Sequence, residues 1–320
     1  MNSKPPIESL DYSKSKPLPS WVREVIDAHL AIEAEDAKQA GALGFMARAL
    51  VIATMPYKDP KVDVFKRVNG DFKLRIVAGY DGGIPYGIYP RLLMSWVATE
   101  AVRKQSPVIE LGDSLSVFLR DVLDIRSTSG GPRGSANRVT EQMKRLFGAM
   151  ITAQYDGERA GRSGFKLKNI MIAQEAELEP GFEEGLWTPQ QEHEAGKWKS
   201  QVILTENFFK ECITSPVPID LRAYRALRGS PLAMDVYTWL TYRMSYTARR
   251  SKPIRWESLM MQFGSSYETD QAARDFKKAF LRALETVKVV YPQANLEIND
   301  NGLVLLPSRP HVAPIQKNLF

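Results

Sequence analysis

The run from residue 84 to 150 limits what the chain can fold into more than any other stretch. Tyr89-Pro90 predicts a helix start, since proline is tolerated in a first turn where its missing N–H has no partner anyway. Leu92, Leu93, Trp96, Val97 and Ala101 then recur at helical spacing. Residues 107–111 form a short apolar run, fit for one strand. Asp113 or Ser114 can cap a second helix with Leu115, Phe118, Leu119 and Val122 on one face. A Gly/Ser/Pro loop over 126–135 breaks the pattern. A third helix follows, burying Val139, Met143, Leu146, Phe147 and Met150 and exposing Asn137, Arg138, Glu141, Lys144 and Arg145. Residues 151–155 and 165–173 read as paired strands around the tip GERAGRSG. Helix, short strand, helix, loop, basic helix and hairpin is the order of a winged helix-turn-helix.

Charge agrees with that order. Residues 126–145 hold Arg126, Arg133, Arg138, Lys144 and Arg145 against one acid, Glu141, a net +4. A helix with one apolar stripe and a cationic polar face suits a major groove. The tip behind it carries Arg159 and Arg162, placed for phosphates or a minor groove. The whole chain is also basic, with a net charge of +6 and a pI near 9.2, which favours a polyanionic partner.

The same order returns further along. Residues 1–19, with four prolines, read as a flexible tail, and Ser20 can cap a helix with Trp21, Val25, Ala28 and Ile32 on one stripe. Gly41 opens an apolar segment and residues 72–80 alternate like a strand. Residues 174–194 hold seven glutamates and no Lys or Arg, an insertion that phosphates would repel. Trp187 and Trp198 are expected to pin it to the core. Pro216-Val217-Pro218 marks a boundary; Asp220 caps a short helix and Ser230-Pro231 a longer one. Arg243, Arg249, Arg250, Lys252 and Arg255 follow with no acid between them. Residues 254–256 read as a short strand, 256–263 as a helix and 270–289 as a third helix presenting Arg274, Lys278 and Arg282. A hairpin over 296–306 turns at Asn301-Gly302. The fold class expected is therefore α+β and helix-rich, with two tandem winged helix-turn-helix domains and small hairpin wings. The first spans 20–215, including the N-terminal helix and the insertion; the second spans 216–310; residues 311–320 form a free tail.

Several chemistries are not provided for. Cys212 is alone, so neither an intramolecular disulfide nor a thiolate metal cluster can form. His29, His193 and His311 are unpaired in sequence, whereas rolling-circle nickases resemble one another in paired metal-binding histidines. The run SGGPRGS lacks the lysine and preceding buried strand of a phosphate-binding loop. A non-enzyme with no cofactor and no metal is expected. No apolar run approaches the ~18–20 residues that span a bilayer, and the N-terminus lacks a signal-peptide core, so no membrane association and a cytoplasmic location in a bacterial host are expected.

The words GIPYGIYPRLLMSWVATEAVR and SGGPRGSANRVTEQMKRLF, within residues 83–150, resemble the plasmid-encoded RepA family of replication initiators. The resemblance extends over about residues 41–310 by its word order. It implies binding of double-stranded origin DNA by winged helices, opening of nearby A/T-rich DNA, and recruitment of host replication proteins such as the helicase. Relatives repress as dimers and initiate as monomers, which implies a homodimer and autorepression. The alternatives are a plain transcriptional repressor using the same modules, and a protein-interaction scaffold with an incidental basic surface. The terminal Gln316, Leu319 and Phe320 resemble the Q-x-x-L-F peptide that replication proteins insert into the bacterial sliding clamp.

Overall fold

The computed structural model describes residues 20–47, 51, 54–69, 71–111, 120, 135–159, 162–178, 200–214, 216–264 and 270–312. Eight helices and twelve strands lie among them: α1 (Ser20–Ala34), β1 (Leu43–Met46), β2 (Val64–Asn69), β3 (Phe72–Val77), α2 (Ile88–Lys104), β4 (Val108–Glu110), α3 (Ser135–Phe147), β5 (Met150–Arg159), β6 (Arg162–Met171), β7 (Ala173–Glu177), β8 (Gln201–Leu204), α4 (Glu206–Thr214), β9 (Val217–Asp220), α5 (Leu221–Ala226), α6 (Pro231–Met244), β10 (Ile254–Arg255), α7 (Trp256–Phe263), α8 (Asp270–Val290), β11 (Leu296–Asn299) and β12 (Gly302–Leu305). Apart from residue 120, the expected helix over 113–122 lies outside the described residues, as do the 126–134 loop, Trp187, Trp198 and both extreme tails (1–19 and 313–320).

Helix α2 is the organising element. Its expected single stripe is instead burial on every side, since Pro90 through Ala98, Glu100, Ala101 and Val102 are all buried. A helix apolar around most of its circumference belongs inside a core. One continuous apolar cluster surrounds it, running from Val25 through Trp96, Leu146, Tyr224 and Leu240 to Leu305. It joins the elements on either side of Pro216. The arginine in α2 is accommodated by pairing: Arg91 Nε and Nη2 donate to Asp235 Oδ1 and Oδ2 of α6 at 2.8 and 2.7 Å. Its remaining N–H groups donate to the carbonyls of Met55 (2.7 Å) and Gly87 (2.6 Å). A buried charge is tolerable when its partners are supplied in this way.

Four sheets decorate the core, in strand orders β2-β3-β5-β6, β4-β8-β7, β1-β9 and β10-β12-β11. The first hairpin is larger than the sequence suggested. Strands β5 and β6 stay in register from Met150↔Met171 to Arg159↔Arg162, so most of the supposed loose tip is ladder. β5 also pairs with β3, from Phe72↔Tyr155 to Val77↔Met150, which makes the hairpin half of a four-stranded sheet. The run ends at Met171, and Ala173–Glu177 crosses to pair with β8. These residues carry the first glutamates of the acidic insertion; residues 179–194 lie outside the described set.

The N-terminal helix, grouped by chain order with the first unit, packs on α5 and α8. Arg222 explains its attachment: its guanidinium donates to the carbonyls of Ala31 (2.9 Å) and Glu35 (2.8 Å) at the end of α1 while Asp220 holds it at 2.7 Å. A cation there satisfies carbonyls that the helix leaves unpaired. Strand β1 follows and pairs antiparallel with β9, Leu43↔Asp220 to Met46↔Val217, tying the two halves again. Asp220 and Ser230 cap α5 and α6 as their sequence signals predict, accepting from Arg222 N–H (2.8 Å) and Ala233 N–H (3.2 Å).

The expected free tail begins too early. His311 Nδ1 lies 2.8 Å from the Tyr237 hydroxyl and its ring packs 4.6 Å from that of Tyr291, while Val312 is buried. An aromatic pocket with a hydroxyl at its floor holds these residues against the core.

Candidate nucleic-acid interface

Among the described residues, cations gather on three elements. The first is α3, whose inner face buries Val139, Met143, Leu146 and Phe147, as its spacing predicts, whereas Met150, expected on that face, opens β5 and is exposed. Arg138 and Lys144 are exposed and Asn137 is half-buried on the opposite side. Arg145 leaves that group. Its Nε donates to Glu141 at 2.9 Å, its Nη1 reaches Asp59 (3.4 Å) and the Ile84 carbonyl (3.3 Å), and its guanidinium stacks over the Tyr86 ring. Only 12% of its side chain is exposed. Arg145 therefore fastens α3 to the segment before α2, together with Gln142, which accepts from Tyr86 N–H at 2.9 Å. Sequence spacing offers the i,i+4 pair with Glu141 but not the burial, because Asp59, the Ile84 carbonyl and the Tyr86 ring that complete the site are far away along the chain.

The second element is the β5–β6 hairpin. Arg159 and Arg162 sit directly across from each other at its end, where the strands run beyond Asp156, which donates its N–H to Asp71 O. Ten residues per strand make a ribbon roughly 33 Å long at about 3.3 Å per residue. Arg133, in the expected loop before α3, lies outside the described residues.

The third element is in the second half. Arg249, Arg250 and Lys252 are exposed between α6 and β10, with Arg250 bonded to Glu297 of β11. Helix α8 buries Phe276, Phe280, Leu284 and Val287 and exposes Arg274, Lys278 and Arg282 on successive turns. Trp256 seats this helix, its ring lying under the Lys277 ammonium (4.7 Å) and edge-on to Phe280. Gln316, Leu319 and Phe320 lie outside the described residues, so the tail peptide has no geometry to add.

The sequence reading passed over β2 and its exposed Lys66, which lies opposite the exposed Arg75 of β3, apart from the three elements above. The signal was present in VFKRVN, where Val64, Lys66 and Val68 face out while Phe65 and Arg67 face in. Arg67 is buried and donates to the Thr54 and Gly264 carbonyls. An alternation that puts an arginine inward is easily taken for an exposed loop.

Other chemistry is muted. Cys212 is buried, and burial pushes its thiol up to about 12. Among the described residues no group of three or more His, Cys, Asp or Glu side chains is placed to hold a metal ion, and no helix is long and apolar enough to cross a membrane.

The fold and its exposed cations thus define a mixed helix-and-sheet protein with basic elements mounted on one shared core. The sequence profile of the plasmid-encoded RepA protein family matches residues 84–258, more than half of the chain, and the chain belongs to that family. No curated protein sequence matches it. Among solved structures, a selenomethionine crystal structure of domains 2 and 3 of RctB aligns at a TM-score of 0.45 and 12% identity, over 78% of this chain and 85% of that one. A second crystal structure of the same RctB domains gives 0.44 and 12%, over 80% and 93%.

Proposed function

We propose that this chain initiates plasmid replication by binding repeated origin sequences through two winged helix-turn-helix units, acting by contact and not by catalysis. Its membership in the plasmid-encoded RepA family carries the reading. The second half supports it most fully in geometry: helix α6, strand β10, helices α7 and α8 and hairpin β11–β12 follow in winged-helix order, with the three strands in one sheet. In that arrangement α8 is the recognition helix, and Arg274, Lys278 and Arg282 are the side chains it offers to a major groove. In the first half α3 takes the same part with Asn137, Arg138 and Lys144, while Arg159 and Arg162 hold phosphates from the hairpin. Arg249, Arg250 and Lys252 flank the second site as phosphate contacts.

The shared core gives this proposal a mechanical content. Two readers fixed to one another meet the duplex at one spacing, so origin repeats bind in a set register. DNA that must bend or melt to satisfy both is stabilised by contact energy, without ATP hydrolysis. Host replication proteins, the sliding clamp at Gln316, Leu319 and Phe320 among them, then join the opened origin. Autorepression follows where the same repeats overlap the promoter, through a homodimer.

Footprinting on the DNA flanking the chain's own gene tests the reading. Protection of repeated sequences, with permanganate-reactive thymines in an adjacent A/T-rich segment, is expected. Protection without opening would leave a repressor; no protection at all would end the proposal.

A further inference from the structure

The sheet β2-β3-β5-β6 has an outer face that nothing in the described fold covers. Register places three rows on it. Val64, Val77, Met150 and Met171 form the first; Lys66, Arg75, Thr152 and Asn169 the second; Val68, Lys73, Gln154 and Leu167 the third. Val64, Val68, Met150, Leu167 and Met171 are between 39% and 48% exposed, well above what a core-facing sheet residue shows. The rows are about 7 Å apart and each crosses about 14 Å of sheet.

The middle row is electrostatically odd. Lys66 and Arg75 are directly opposite each other on neighbouring strands, an arrangement of like charges that destabilises a sheet. Neither has an acidic partner among the described residues. Asp156, on this face, is held by Lys73 at 2.8 Å. Thr152 and Asn169 complete the row with a bond to each other at 3.0 Å. A cation pair set beside an apolar row is a cost the fold bears without return from its own side chains.

The geometry points to a docking surface for an acidic amphipathic protein segment, its apolar side chains on the Val64–Met171 row and on Val68 and Leu167 at the two edges of the third row, and a carboxylate between Lys66 and Arg75. Such a carboxylate relieves the repulsion and makes charge-assisted bonds to both cations. The pattern disfavours the two other occupants. Nucleic acid would bring phosphates to the cations but leave the valines, methionines and leucine against charged backbone. A second copy laid face to face would add its own Lys66 and Arg75 to the pair already present. The site is separate from the DNA-facing cations proposed above, and its role in replication rests on that proposal.

The test uses the full-length chain and a fluorescein-labelled 18-residue helical peptide of leucine and glutamate with an apolar stripe. Anisotropy should show saturable binding, weakened at least tenfold by Lys66→Gln/Arg75→Gln, abolished by Lys66→Glu/Arg75→Glu and retained by the charge-preserving Lys66→Arg/Arg75→Lys. A leucine-lysine peptide of the same pattern should not bind. The Gln pair should melt no lower than the wild type, since it removes a repulsion, and should shift origin DNA and sediment as the wild type does. In cells it should fail to maintain the plasmid that the wild-type chain maintains. Equal peptide binding by wild type and Gln variant overturns the inference. So does normal plasmid maintenance by the variant, loss of its origin-DNA shift (a nucleic-acid surface), or a changed oligomeric state (a self-association surface). A wild-type chain that maintains no plasmid counts against the initiator reading instead, while the peptide measurement still decides the docking surface.

Discussion

Replacing Asp235 by asparagine should be one of the most damaging single-atom-scale changes available to this protein. The carboxylate is 11% exposed and takes two charge-assisted hydrogen bonds from an arginine whose side chain is 2% exposed. Asparagine keeps the volume but offers only one oxygen and no charge, leaving a buried guanidinium without its counter-ion. Breaking a buried pair on one side costs about 3–5 kcal/mol. The Met55 and Gly87 carbonyls still accept from Arg91, which puts the expected loss near the lower end, about 3 kcal/mol. That is a large share of the roughly 5–15 kcal/mol that holds a folded protein together. Removing both charges, as Arg91→Met/Asp235→Leu, should cost less than the two single changes added together, because no ion is then stranded. Urea unfolding followed by far-UV circular dichroism measures all three. The pair joins α2 to α6, so one cooperative transition is expected rather than two. A loss below about 1 kcal/mol for Asp235→Asn, or strict additivity in the double variant, would refute the stranded-charge reasoning.

Three further outcomes are expected. Burial holds the His311 imidazole down at about 4, so the unfolded chain takes up its proton near 6.5 while the folded one resists; stability should be full above pH 6.5 and fall by about 3 kcal/mol as pH drops to 4. Urea midpoints for the wild type should show that loss relative to His311→Phe, and parallel pH profiles would contradict it. Gly302 has φ +152° and an added Cβ would stand 2.0 Å from the Ile254 carbonyl oxygen, so Gly302→Ala should cost at least about 2 kcal/mol by urea melt and disturb the β10–β12 pairing. In shift assays at fixed salt, Arg138→Ala should cost about 1–3 kcal/mol and relax discrimination at one base position, whereas Arg159→Ala should weaken all sequences alike; full specificity in Arg138→Ala would show that α3 does not read bases.

The second half was the more legible in sequence, and the reason is local. Asp220, Ser230-Pro231, Trp256 and Asn301-Gly302 announce their caps, helix and turn within a few residues of where each acts. Asn299 Oδ1 accepts from the N–H groups of both Asn301 and Gly302 at 3.0 Å, a turn written in adjacent letters. What escaped the sequence was everything settled at long range. Leu43 pairs with Asp220, Arg91 with Asp235 and Arg145 with Asp59, and no periodicity predicts any of them. Those same contacts fuse two sequence units into one core and decide which basic residues remain available. Strand β2 was lost for a related reason: its inward Arg67 is paid for by carbonyls on distant segments. The exposure of Lys278, Arg282, Arg249 and Lys252 was legible because no remote acid pairs with them among the described residues, and the tail residues that follow Val312 gain no test from the fold.

The central claim, that these exposed cations bind origin DNA, is tested most directly by the salt dependence of affinity. Each phosphate contact adds about −0.9 to the slope of log K against log salt concentration. The full-length chain should show a steep slope on origin DNA. The variant Arg249→Ala/Lys252→Ala/Lys278→Ala/Arg282→Ala should lose about two to four units of it while keeping its urea midpoint, because all four side chains are exposed. A flat slope for the wild type, or an unchanged one for the variant, would contradict the account.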